Sequence, residues 1–134
     1  MVSVDGYVLD TSALFALIED EPGADRVEEV LRTGPVWIPS LVLMELVYVS
    51  RQEVGPEEAH QRYALAKALP ADVVWEIDER ILLTAARFKA EHRVSLADAV
   101  IAAVAAVRRA TLVHKDPEYE SLAAEVALEP LPYK

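Results

Sequence analysis

Short apolar runs alternate along the chain with longer stretches in which apolar residues return every three or four positions. Tyr7-Val8-Leu9, Val36-Trp37-Ile38-Pro39, Val73-Val74-Trp75 and Thr111-Leu112-Val113 have the length and the β-branched or aromatic content of strands, and Ala127-Leu128 or its neighbours add a candidate edge strand. The intervening stretches predict helices. Asp10-Thr11-Ser12 caps one through Ala13 to Ile18, which Glu19-Asp20-Glu21-Pro22-Gly23 breaks. A second, about Ala24 to Arg32, carries Val27, Val30 and Leu31 at helical spacing. Ser40 is the expected cap of a helix reaching about Gln52, and Gly55-Pro56-Glu57-Glu58 opens another to about Leu69 with proline first and acids in the first turn. Asp78 and Ser95 predict caps of helices ending near His92 and Arg109, and Asp116-Pro117 leads into a short helix around Glu118 to Ala124.

Strands separated by helical crossovers imply a parallel sheet, because a tight hairpin cannot join parallel neighbours. The expected fold is therefore α/β: a three-layer sandwich with a central, mainly parallel sheet of four to five short strands and helices on both faces. A chain of 134 residues without a repeat, linker or low-complexity tract predicts one domain over residues 1–134.

Composition narrows the chemistry. Apolar residues make up 53% of the chain, enough for a core, while 13 Lys+Arg against 23 Asp+Glu give a net charge of −10. No cysteine is present, which excludes disulfides, thiolate zinc sites and thiol catalysis. The opening Met1-Val2-Ser3-Val4-Asp5 lacks a basic signal-peptide region, and the longest near-apolar run, Val94 to Val107, is too short to span a bilayer and contains Asp98. A cytoplasmic protein with no membrane association is expected. Bulk acidity argues against gripping nucleic acid by charge alone, so such a substrate would need divalent metal, a local basic patch or a basic partner.

Four acids stand where chemistry is expected. In parallel α/β sheets ligands collect outside the carboxyl ends of the strands. Asp10 directly follows the first strand and Asp116 comes shortly after the fourth, whereas Asp5 lies about 16 Å of extended chain upstream. Glu45 in Leu41-Val42-Leu43-Met44-Glu45-Leu46-Val47-Tyr48-Val49 and Asp98 in Val94-Ser95-Leu96-Ala97-Asp98-Ala99-Val100 interrupt segments apolar on nearly every side, so both are expected to be largely buried. Other roles suit each alone. Asp10 and Asp116 fit N-caps, Ser95 with Asp98 fits a capping box, and Glu45 fits a buried ion pair with an arginine. Taken together, four converging carboxylates repel unless cations lie among them, and an all-oxygen donor set suits Mg²⁺ or Mn²⁺. His60, His92 and His114 are scattered, which disfavours zinc.

These segments carry a family resemblance. Tyr7-Val8-Leu9-Asp10-Thr11-Ser12-Ala13-Leu14 resembles the opening motif of PIN-domain nucleases, especially the VapC toxins of VapBC toxin–antitoxin pairs. Glu45 in the helix after Pro39-Ser40, then Ser95-Leu96-Ala97-Asp98-Ala99, then His114-Lys115-Asp116-Pro117-Glu118-Tyr119, resemble the later motifs in order over nearly the whole chain. The last motif often reads Thr-x-Asp-x-Asp-Phe, and here an acid and an aromatic hold its last two places. The resemblance implies a PIN-like sandwich and a Mg²⁺- or Mn²⁺-dependent ribonuclease. In it Asp10, Glu45, Asp98 and Asp116 would be the catalytic, metal-holding quartet, with Ser12 as supporting hydroxyl. It also implies an RNA substrate, a small VapB-like antitoxin and a homodimer.

Arg51, Arg93, His114 and Lys115 are candidate RNA-facing charges, with ordinary solvated surface as the alternative. Trp37, Tyr48 and Tyr63 are candidate dimer-face residues, with core packing as theirs. Two other functions fit the same residues: a catalytically silent PIN-like binding module, and a receiver-type signalling domain. The latter is disfavoured because Asp10 is unpaired and Val74-Trp75-Glu76 offers no phospho-accepting Asp. Asp-x-Asp phosphatase chemistry fails at Asp10-Thr11-Ser12.

Overall fold

A computed structural model of the chain describes residues 6–133; Asp5 and the rest of residues 1–5 lie outside the described residues. Its centre is β1 (Tyr7–Leu9), paired in parallel with β2 (Val36–Pro39), Val8 opposite Trp37, and on its other side with β4 (Thr111–His114), Val8 opposite Leu112. β3 (Asp72–Val74) and β5 (Leu128–Pro130) complete a parallel sheet of order β3-β2-β1-β4-β5. Val8, Leu9, Leu112 and Val113 are fully buried, as strands covered on both faces must be.

Two helices precede each of β2, β3 and β4: α1 (Thr11–Ile18) and α2 (Ala24–Thr33), α3 (Ser40–Val54) and α4 (Pro56–Ala68), α5 (Glu79–Glu91) and α6 (Leu96–Arg108). From β1 the chain steps outward to β2 and β3, then returns to the other flank for β4 and β5. Right-handed crossovers put α1–α4 on one face and α5–α6 on the other. The strand order thus reverses between β1 and β4, the place where such sheets leave a crevice at the carboxyl ends. In α6 every residue from Ala99 to Ala105 is buried, and its alanines let the helix lie close on β1 and β4.

Several local expectations are corrected. Ser40 is the first residue of α3 rather than its cap: Pro39 ends β2 in extended geometry, and the Ser40 hydroxyl donates instead to the Trp75 carbonyl at 3.1 Å. β3 sits one residue earlier than its apolar run, and the short helix after Asp116 is a 3₁₀ turn, Pro117–Leu122. The apolar α3 is one-sided, with Val42, Leu43 and Leu46 buried but Met44 59% exposed, and Leu96 at the head of α6 is 68% exposed. Glu45 and Asp98 are consequently half-buried, not enclosed. Apolar residues on every side of a helix do not say which side meets the sheet.

Gly6 enters β1 at φ +146°, and a Cβ there would lie 2.5 Å from the Pro35 carbonyl oxygen. Gly55, between α3 and α4, has φ +94° but open space around it. Gly6→Ala is expected to lose about 2–3 kcal/mol in urea unfolding and Gly55→Ala about 1 kcal/mol, since only the first adds a backbone collision to the conformational strain. Equal losses would contradict the close approach at Gly6.

Candidate active site

The site begins where β1 ends. Asp10 keeps extended geometry, donates its N–H to the Val113 carbonyl across the sheet, and turns its carboxylate onto the first turn of α1. There it accepts from the Ala13 N–H at 2.8 Å and from the Ser12 hydroxyl at 2.8 and 2.9 Å to its two oxygens. The Ser12 oxygen in turn accepts the Lys115 N–H at 2.8 Å, so one hydroxyl ties the exits of β1 and β4 together. The cap reading of Asp10 is therefore true as well, and it orients the carboxylate.

The other three acids approach from separate elements. Asp116, after β4, caps the 3₁₀ turn by accepting the Glu118 N–H at 2.9 Å, while its own N–H donates to His114 Nδ1 at 3.1 Å. Asp98 lies in the first turn of α6, where its N–H donates to the Ser95 hydroxyl at 3.1 Å and its Oδ1 accepts the Tyr119 hydroxyl at 3.0 Å. Glu45, on α3, accepts from the Thr11 hydroxyl at the start of α1. Carboxylate oxygens of Asp98, Asp116 and Glu118 lie within 4.8 Å of one another.

Electrostatics makes the grouping quantitative. Burial pushes the Asp10 carboxyl up to about 7, against the opposing hydrogen bonds from Ala13 and Ser12, and the charges of Asp98 and Asp116 push the same way. Asp98 is raised to about 6, by burial first and then by Asp116 and Glu45, although the Tyr119 hydroxyl opposes this. Burial also drives the Tyr119 hydroxyl far above its ordinary range, assisted by Asp10, Asp98 and Glu45, so it remains a donor. Among the described residues no ion pair involves any of the four acids.

A second acidic group gives the contrast. Glu91, His92 and Glu125 also converge, but Arg87 pairs with both glutamates and His92 lies 2.6 Å from Glu125. Glu125 is held below the usual carboxylate range by Arg87 and His92. That cluster carries its own cation, whereas the one at the sheet edge has only hydroxyl and backbone donors, and burial raises the carboxyls of Asp10 and Asp98 there. The donor chemistry at the sheet edge fits a divalent cation with a preference for oxygen.

Of the residues singled out from sequence, Asp98 and Asp116 come together directly with Glu118. Asp10, bonded to Ser12, senses the charges of both, and Glu45 senses Asp98 from α3; Asp10 and Glu45 lie outside the 4.8 Å group. Two candidate RNA-facing charges are corrected: His114 is fully buried, and Lys115 reaches the Pro22 carbonyl at 2.9 Å and Glu21 at 3.5 Å instead of solvent. Arg51 and Arg93 remain exposed. Trp37 lies half-buried under Arg108, Tyr63 is half-buried beside Lys67, and Tyr48 is exposed. Thr11 joins the site without having been singled out, and Glu118 and Tyr119, given in sequence only as the acid and the aromatic closing the last motif, join it as well. Glu118 was visible as the second acid of its segment, but the Thr11 and Tyr119 contacts are long-range and left no mark in the spacing. A cleft of about 450 Å³ lined by Ser12, Phe15, Glu19, Lys115, Pro117 and Tyr133 opens beside the acids.

The raised carboxyl at Asp10 sets a measurable sign. Its folded value lies above the unfolded one, so the folded protein retains a proton that the unfolded chain releases, and this contribution falls away as pH rises from about 4 to about 7. Asp10→Asn keeps an acceptor for the Ala13 N–H and removes the charge. In chelator-treated protein the variant is expected to gain on the wild type as pH rises from 5 to 8, by on the order of 2 kcal/mol at the upper end. A stability difference independent of pH would contradict the buried charge.

Comparison with known proteins agrees with the geometry. The family model described as PIN domain matches residues 7–125. No match was found among curated protein sequences. Among solved structures, the chain resembles one in a VapBC2 complex from Rickettsia felis bound to a promoter DNA fragment (TM-score 0.78, 19% identity, covering 94% of this chain and 98% of that one). It also resembles one in a DNA-bound VapBC complex from Salmonella typhimurium (0.75, 23%, 93% and 97%). A third is VapC20 of Mycobacterium tuberculosis, a toxin that cleaves the sarcin–ricin loop (0.71, 18%, 91% and 97%). The family match over nearly the whole chain, the strand order and the acids at the β1–β4 crevice lead to one conclusion: this chain belongs to the PIN domain family.

Proposed function

We propose that the chain is a divalent-metal-dependent ribonuclease and the toxin of a toxin–antitoxin pair. The observation that carries the reading is the meeting of the four acids at the β1–β4 crevice, where burial and neighbouring carboxylates raise Asp10 and Asp98 and no side-chain cation pairs with any of the four among the described residues. The likeness to chains of VapBC complexes and to a toxin that cleaves an RNA loop supports RNA as the substrate and a VapB-like protein as the partner. Charge points the same way: an acidic protein holds RNA weakly by itself, and a basic antitoxin side chain could neutralise the same carboxylates. No helix among the described residues is long and apolar enough to cross a membrane. We take the working form as a cytoplasmic homodimer.

In this reading Asp10, Glu45, Asp98 and Asp116 hold Mg²⁺ or Mn²⁺, and Ser12 and Thr11 fix the rotamers of Asp10 and Glu45 through their hydroxyls. When bound, the metal supplies polarisation of the scissile phosphate, a more acidic water and charge stabilisation of the leaving oxygen. The protein's contribution is placement. Asp10 is held by the Ala13 N–H and the Ser12 hydroxyl, Asp98 by the Tyr119 hydroxyl and Asp116 by its own turn, so the carboxylates need little reorganisation to accept a cation. Attack by water breaks the bond from phosphorus to the 3′-oxygen, which leaves as a hydroxyl, and the phosphate stays on the 5′ side of the downstream fragment.

The test is cleavage of structured RNA with Mg²⁺ or Mn²⁺ and with chelator, using wild type, Asp10→Asn and Asp98→Asn. Cleavage that needs the metal, leaves 5′-phosphate ends and falls about a hundredfold or more in both folded variants is expected. Cleavage that survives chelation and both substitutions would refute the assignment. A wild type that binds metal but cleaves no RNA would favour the silent binding module.

A further inference from the structure

We propose that Tyr119 and His114 form a buried pair of positioning residues that orients Asp98 and Asp116 for metal binding. The proposal rests on the reading of those acids as metal ligands. Both side chains are completely buried, and their rings lie 5.0 Å apart at 59°. They flank Asp116 in the chain, one at the end of β4 and the other on the 3₁₀ turn, and each sends one polar atom to a different acid.

Tyr119 reaches across to α6. A buried phenol needs an acceptor, and here the acceptor is Oδ1 of Asp98, 3.0 Å away and 21 positions distant in sequence. That bond joins α6 to the 3₁₀ turn. It occupies one carboxylate oxygen and leaves Oδ2 for a cation, which sets the direction from which Asp98 can ligate. A phenylalanine would fill the same space, so the hydroxyl has consequences for Asp98 that packing does not require.

His114 acts on the neighbouring acid. Its Nδ1 accepts the Asp116 N–H at 3.1 Å, which assigns the ring proton to Nε2, and that nitrogen is buried without a hydrogen-bond partner among the described residues. An orphaned buried N–H is unfavourable by about 1–3 kcal/mol, so the ring is poorly explained as core filler alone. Its Nδ1 fixes the backbone from which the Asp116 carboxylate projects, and its face supports Tyr119, with Tyr133 6.1 Å away. Groups that orient metal-ligating carboxylates in this way typically change metal affinity 10–100-fold when removed.

The experiment is a Mn²⁺ titration by calorimetry on the whole protein, with thermal melts of the metal-free forms alongside. Tyr119→Phe is expected to bind Mn²⁺ about tenfold or more weakly while its metal-free melting temperature stays within a few degrees of wild type. His114→Asn, whose amide oxygen can replace Nδ1 as acceptor, is expected to bind more tightly than His114→Leu, which keeps the volume and loses the acceptor. Wild-type affinity in Tyr119→Phe, or a loss that merely follows a general fall in stability, would overturn the proposal while leaving the four-acid reading intact. Equal affinity in the two His114 variants would remove His114 from it, and should Tyr119→Phe fail to fold, that comparison decides. A wild type that binds no Mn²⁺ would overturn both readings.

Discussion

A carboxylate taken out of water must find a proton, a cation or enough hydrogen-bond donors, and the β1–β4 crevice is organised around that requirement. Asp10 is 3% exposed and already accepts from a backbone N–H and a serine hydroxyl, yet its carboxyl is raised to about 7. Burial outweighs the donors. With Asp98 and Asp116 adding repulsion, the protein's own groups leave a deficit of positive charge. Glu125 shows the opposite balance: given Arg87 and His92, its carboxyl is held low. One acidic cluster is thus paired internally with Arg87 and His92, whereas no ion pair reaches the four acids of the crevice among the described residues.

The fold produces that deficit through its topology. Reversal of strand order between β1 and β4 parts the helices at the carboxyl edge, and Asp10 and Asp116 follow the two strands that border the gap. Close packing of the alanine-rich α6 on those strands brings Asp98 in from the opposite face, while α1 contacts α3 and its Thr11 reaches Glu45. The four acids thus come from four different elements, and their approach depends on the whole sandwich. The hydroxyl of Ser12, donating to Asp10 and accepting from Lys115, is a direct tie across the crevice.

Much of this was legible in sequence because the signals are local. Strand lengths, the Asp78 and Ser95 caps and the proline start of α4 are properties of a few neighbouring residues. Asp10 and Asp116 stood out because they follow strands, and Glu45 and Asp98 because they interrupt apolar runs. What escaped depends on tertiary partners. Ser40 looked like a cap, but its hydroxyl goes to Trp75. His114 and Lys115 looked like surface charge, yet one is core and the other is held by Pro22 and Glu21. Tyr119 stands in sequence only as the aromatic closing the last motif, since nothing in its surroundings signals a hydrogen-bond partner 21 positions away. The exposed Met44 and Leu96 show the same limit from the other side, since an all-round apolar helix carries no information about its orientation.

The proposed function requires that acids borne on different helices belong to one metal centre. A calorimetric Mn²⁺ titration of wild type beside Glu45→Gln and Asp98→Asn tests it most directly, because it requires no knowledge of the RNA. Wild-type binding that weakens sharply in both folded variants is the expected result, and it would place α3 and α6 at one metal centre. Binding unchanged by both substitutions would contradict the account, leaving Glu45 and Asp98 as half-buried acids satisfied by Thr11 and Tyr119 alone.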